Sequence, residues 1–136
     1  MLLLLACTSL AEPPEVIQLI RHPEYDKYIA ANKNKIVDLD SIKIKQNVST
    51  DIDLIMKAVE YPEYAVENEI EGRVLVKVLV DDNDRVLSVQ IHESDNEYLN
   101  KSALEAIYDT FFESAIDTNG RKIAGYIYMP IQFKLR

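Results

Sequence analysis

Arg73-Val74-Leu75-Val76-Lys77-Val78-Leu79-Val80, followed by Asp81-Asp82-Asn83-Asp84 and then Arg85 to Glu93, is the stretch that decides the fold. Val74, Val76, Val78 and Val80 fall on one face of a strand, and Arg73, Leu75, Lys77 and Leu79 on the other. β-Branched residues at period two suit a pleated, half-buried surface. The four polar residues that follow are turn chemistry, since Asn and Asp tolerate left-handed backbone and bond to their own main chain. In the next run Leu87, Val89 and Ile91 alternate with Ser88, Gln90 and His92. Strand, turn and strand make a hairpin.

Downstream, Ser94-Asp95-Asn96 offers N-caps for a helix over about 97–112, with an apolar stripe of Leu99, Ala103, Ala106, Ile107 and Phe111. Asn119-Gly120 breaks the chain. A last strand is expected from about Ile123 to Leu135, with Ile127, Met129, Ile131, Phe133 and Leu135 on one face and Tyr126, Tyr128, Gln132 and Lys134 on the other. Pro130 lies within it and cannot donate a ladder hydrogen bond. That strand should therefore lie at a sheet edge or carry a bulge.

Upstream, Thr50 reads as the N-cap of a helix whose apolar face is Ile52, Ile55, Met56 and Val59, spaced i, i+3, i+4 and i+7. Pro62 ends that helix and suits the start of a new turn over 63–67. Helix, strand, strand, helix, strand describes an α+β layer: a three-stranded antiparallel sheet covered on one face by helices. Residues 51–136 form this domain. Residues 10–50 are read as an extension, with a short helix around Val16, Ile17, Leu19 and Ile20, a helical turn at Tyr25, Tyr28 and Ile29, and one strand in 36–45.

The chain has 136 residues, 48% hydrophobic and 28% charged, which is ordinary for a folded domain. Its net charge of −8 argues against nucleic acid, whose phosphates need clustered Lys and Arg. Most of the excess acid lies in residues 61–136, which an anionic membrane surface would repel. A single cysteine permits neither an internal disulfide nor a cysteine-based zinc site. No cofactor and no metal site is expected. His22 and His92 are far apart in sequence, and the acids at 81, 82 and 84 lack the spaced ligands of an EF-hand loop. No nucleophile elbow or singled-out carboxylate pair points to catalysis, so the chain is read as a binding module rather than an enzyme.

Met1-Leu2-Leu3-Leu4-Leu5-Ala6-Cys7 resembles the end of a bacterial lipoprotein signal, in which cleavage leaves Cys7 as a lipid-carrying N-terminus. The apolar run is short and no Lys or Arg precedes it, which a start assigned too far downstream would explain. An apolar N-terminus packed against the domain is the other reading. On the first, residues 1–9 are a signal remnant and the protein is tethered to the envelope by lipid rather than by a transmembrane helix.

Tyr61-Pro62-Glu63-Tyr64-Ala65 and Ile70-Glu71-Gly72-Arg73-Val74-Leu75-Val76, with Val86, Val89, Leu99, Ala103-Leu104, Ala106-Ile107, Phe112 to Ala115, Gly120 and Met129-Pro130-Ile131-Gln132-Phe133-Lys134-Leu135, together resemble the TonB C-terminal domain family over about residues 58–136. Tyr61, Pro62 and Gly72 carry its opening motif. Two departures stand out: Ser114 where the family usually has proline, and Asp82-Asn83-Asp84 in place of an Asp-Gly turn. Energy-transducing members also have a transmembrane helix and a Pro-rich spacer that are not found in this sequence, which leaves coupling to a proton-driven motor open.

The resemblance implies a periplasmic or envelope location and recognition of an extended segment of an outer-membrane receptor or transporter. The segment would add as a strand beside the last strand. The implied contacts are Ile123, Tyr126, Ile127, Tyr128, Pro130, Gln132 and Lys134, with the two tyrosines exposed at the edge. Two alternatives accompany this reading. One is a structural lipoprotein that scaffolds or forms a homodimer through the same domain. The other is that Tyr126 and Tyr128 merely reflect strand propensity.

Overall fold

The computed structural model describes residues 11–136, so the leader and Cys7 lie outside the described residues. The hairpin forms as the sequence requires: β4 (Gly72–Val80) and β5 (Val86–Ser94) pair antiparallel. Val74, Val76, Val78 and Val80 enter the main core. The register slips twice. Leu75 faces Glu93 while Val76 faces Ile91, and Leu79 faces Ser88 while Val80 faces Val86, which leaves His92 and Leu87 as extra residues. The second slip is a bulge that breaks the strict alternation expected for β5. Val86 joins the main core in place of Leu87, and Leu87 is buried outside it.

Behind this sheet face lie α2 (Ile52–Ala58), α3 (Glu63–Glu67), a 3-10 turn (Glu97–Leu99) and α4 (Asn100–Tyr108). Asn96 is the cap that the chain uses, its side chain accepting from the Tyr98 amide at 2.9 Å. Leu99, Ala103, Leu104, Ala106 and Ile107 are buried against the valines. Phe111 is not. The helix ends at Tyr108, the chain turns so that Thr110 bonds back to Ala106, and Phe112 takes the core position while Phe111 is 68% exposed.

α2 differs from its expected pattern in two ways. Its cap is Asp51, which accepts from the Leu54 amide at 3.2 Å, because Thr50 belongs to the two-residue strand β3 (Ser49–Thr50) paired with β6 (Phe112–Glu113). Only Ile55 of its apolar face is fully buried, with Val59, just past its end, packed against the core. Ile52 is 61% and Met56 42% exposed.

The sheet has five strands where three were expected: β1 (Leu19–Arg21), β5, β4, β9 (Gly125–Phe133) and β2 (Val37–Asp38), in that order across it. Both additions come from the N-terminal extension. Residues around Leu19, expected as helix, instead form β1 (Leu19–Arg21) against β5, because Pro23 stops any helix and the edge of β5 offers a ladder. Helix α1 (Tyr25–Asn32) follows, then β2 (Val37–Asp38), which is all that remains of the strand expected in 36–45. The extension thus reaches from one edge of the sheet to the other. It crosses the face opposite the helices. Tyr28 of α1 donates to Asp82 at 2.9 Å, and burial, with this bond second to it, raises the Tyr28 pKa well above the ordinary phenol range. Leu39, Leu79 and Leu87 are buried yet separate from the main core. The helices therefore cover one face, as expected, and the extension partly closes the second.

Candidate functional site

The last strand, β9 (Gly125–Phe133), is antiparallel to β4 without a break in register, from Val80 opposite Gly125 to Gly72 opposite Phe133. Among the described residues its other side meets only β2, which runs parallel and pairs Val37 with Gly125 and Asp38 with Tyr126. There the Val37 amide donates to the Ala124 carbonyl at 3.4 Å and the Leu39 amide to the Tyr126 carbonyl at 3.2 Å. A strand residue turns its N–H and C=O to the same side, so the even-numbered residues of β9 direct their backbone away from β4. Pro130 is one of them. Its missing N–H costs the β4 ladder nothing, which is why a proline sits in mid-strand without a bulge. Beyond Tyr126, no strand among the described residues follows this side. The outward groups are the N–H and C=O of Tyr128 and Gln132 and the C=O of Pro130.

The side chains divide by parity. Met129, Ile131 and Phe133 are buried in the core and Ile127 packs against it, and with its backbone turned to β4 Ile127 offers a guest strand nothing. Tyr126 and Tyr128 lie on the opposite face and are only partly exposed, contrary to the expectation of free edge tyrosines. Tyr126 is held under Lys77, whose Nζ stands 4.1 Å from the ring centroid. Its hydroxyl pKa is raised, first by burial and then by Tyr25 of α1. Tyr128 meets His92 edge-on at 4.9 Å. Pro130 and Gln132 are exposed. Two expected contacts fall off the strand. Ile123 belongs to β8 (Lys122–Ile123), a separate ladder with β7 (Ala115–Ile116), and Lys134 follows the end of β9.

The opening motif holds this strand from the other end. The Tyr61 hydroxyl bonds to the Ile70 carbonyl, and its ring packs edge-on to Phe133 at 5.4 Å. Pro62 sits at the cap of α3, its carbonyl accepting from Val66. At Gly72 a Cβ would come within 2.7 Å of the Asp95 Cβ. The close approach lets Asp95 accept from the Arg73 amide at 2.8 Å, tying β4 to the chain beyond β5.

A polar junction was not legible in advance. Asp81 is buried, paired with Arg85 at 2.8 Å, and accepts from the amides of Asn83 and Arg85. Asp84 adopts φ 63°, the left-handed turn position. It accepts from the Ser114 amide at 2.8 Å and from Lys122 Nζ at 2.7 Å, while its own amide donates to Ser114 Oγ. A proline at 114 could make neither of the bonds that Ser114 makes here. Lys122 above all, and then Ser114, hold the Asp84 carboxyl down at about 2. Both departures from the family pattern thus meet at one place. No group of three His, Cys, Asp or Glu positioned to hold a metal occurs among the described residues.

Residues 57–135 match the family model described as Gram-negative bacterial TonB protein C-terminal. This chain belongs to the TonB C-terminal family. The matched segment begins within α2 and includes β4, β5, α4 and all of β9. Protein TonB of Xanthomonas campestris pv. campestris, from strain B100 and again from strain ATCC 33913, is 33% identical over 81 residues, which is 59% of this chain and 36% of the relative. The chain therefore aligns with little more than a third of the relatives' length. Two solution structures of the Helicobacter pylori TonB C-terminal domain also align. Residues 194–285 give 24% identity, 62% of this chain, 88% of that chain and a TM-score of 0.48, and residues 179–285 give 26%, 62%, 80% and 0.47. The strands β1 and β2 precede the family match, so the TonB C-terminal segment here carries an added strap.

Proposed function

We propose that this chain is an envelope binding module that takes up an extended segment of an outer-membrane receptor or transporter as a strand beside β9. It acts by binding and not by catalysis. One observation carries the reading: the backbone of Tyr128, Pro130 and Gln132 turns outward, with no neighbouring strand among the described residues. An exposed ladder is a template for another strand, and main-chain bonds supply affinity while alternate side chains select. Membership in the TonB C-terminal family supports a periplasmic location and a receptor partner. Lipidation at Cys7 would supply the tether. No helix among the described residues is long and apolar enough to cross a membrane. The test is a titration of the isotope-labelled chain with peptides copied from the periplasm-facing segments of receptors in the same genome. Amide shifts should centre on Tyr128 and Gln132. Shifts confined to other elements, or none, would rule out strand addition.

A second reading, a lipoprotein that scaffolds by self-association, is favoured by one groove, where the exposed Ile52 and Phe111 line the same depression. Sedimentation over a wide concentration range decides it, since a chain that stays monomeric throughout does not scaffold through itself.

A further inference from the structure

We infer that the N-terminal strap is a stop on the binding edge: Leu39, seated on Gly125, limits a guest strand to the part of β9 beyond Tyr126 and so fixes its register. The inference rests on the strand-addition reading above. β9 is nine residues long, and its first two are already paired on the outer side. The Leu39 amide takes the Tyr126 carbonyl, so the next outward carbonyl that a guest can reach is that of Tyr128.

Leu39 is buried, unlike its neighbours Asp38 and Asp40. The reason is Gly125. A Cβ at that position would come within 2.6 Å of Leu39 Cδ2 and 2.9 Å of Cδ1, so only glycine leaves room for the leucine to lie on the strand. Past Leu39 the strap turns away from the sheet. Asp38 Oδ1 accepts from the Asp40 amide at 3.0 Å, and its carbonyl accepts from the Ser41 amide and hydroxyl. This turn ends the ladder abruptly and leaves a blunt wall where the guest begins.

A wall sets register in a way that the rest of the edge cannot. The outward backbone repeats every two residues, so a guest could slip by two and still satisfy its hydrogen bonds. Slippage toward Tyr126 is blocked by the strap, and slippage the other way forfeits bonds at Tyr128. Pro130 adds a gap with no donor at a fixed distance from the wall. The pair of features gives the edge a defined origin.

The experiment uses the full chain and one receptor-derived peptide, prepared in a five-residue and a nine-residue form. On the unaltered chain both should shift Tyr128 and Gln132, leave Tyr126 unmoved and bind with similar affinity. In Leu39→Ala the nine-residue form should extend its shifts to the Tyr126 amide and bind about fivefold tighter, the worth of about one added ladder bond, while the short form is unchanged. Val37→Pro, which removes the bond to Ala124, should act in the same direction and serves if the first variant loses its fold. If the unaltered chain gives shifts at Tyr128 and Gln132, but neither variant lengthens the footprint, the stop is wrong and strand addition stands. If the unaltered chain gives no shift along β9, both fall together.

Discussion

Asp84 is held in a left-handed turn position by Ser114 and Lys122, and its carboxyl titrates at about 2 instead of 3.8. A depressed carboxyl stabilises the fold fully above its unfolded value, and that contribution disappears as pH falls through the folded one. The unfolding midpoint should therefore drop between about pH 4 and pH 2. Asp84→Asn keeps the turn preference and removes the titration. It should be less stable than the unaltered chain at pH 7 and show a shallower acid slope, checked by urea unfolding at several pH values. Tyr61 offers a second test. Tyr61→Phe keeps the packing on Phe133 but leaves the Ile70 carbonyl without its donor, at a cost of about 1 to 2 kcal/mol. Denaturant unfolding measures it directly.

At the scale of elements, α2 separates what a pattern predicts from what packing uses. The i, i+3, i+4 and i+7 spacing is real, yet of these residues only Ile55 is fully enclosed. Ile55→Ala should cost roughly 2 to 5 kcal/mol, as for other large side chains deleted from a core. Replacing Ile52 and Met56 with Ser should change stability by less than about 1 kcal/mol in all. Comparing the two in thermal and urea unfolding tests the burial assignment. Phe111 and Phe112 make the same point at the end of α4. Periodicity extends the helix to Phe111, but the chain leaves the helix at Tyr108, and the neighbouring ring fills the core.

For the whole molecule, the strap is the deciding feature. It supplies both outer strands, shields Leu79 and Leu87, and occupies one end of the binding edge. A chain shortened to residues 47–136 retains the main core apart from the minor contacts of Ile17 and Ile20 and should fold, because the hairpin, α4 and β9 carry nearly all of that core. It should lose about 3 to 5 kcal/mol through exposure of two leucines, an upper value because the unfolded chain also hides some surface. Urea unfolding of the two lengths gives the difference, and a loss near zero would mean that the strap contributes no shelter.

The α+β class, the β4–β5 hairpin, the helix behind it and the closing strand were all legible in the residues, because alternation, turn residues and caps act over a few neighbouring positions. Pro130 likewise required either an edge or a bulge, since a residue without an N–H cannot serve an inner ladder. Which side of β9 Pro130 faces, the partial covering of Tyr126 and Tyr128, and the placing of Ile123 in another ladder depend on packing between distant segments. The pairing of residues 19–21 and 37–38 with strands far along the chain was equally hidden. Such short strands have no pattern of their own. They form because existing sheet edges offer them partners, and Leu39 finds its place because Gly125, 86 positions later, has no side chain.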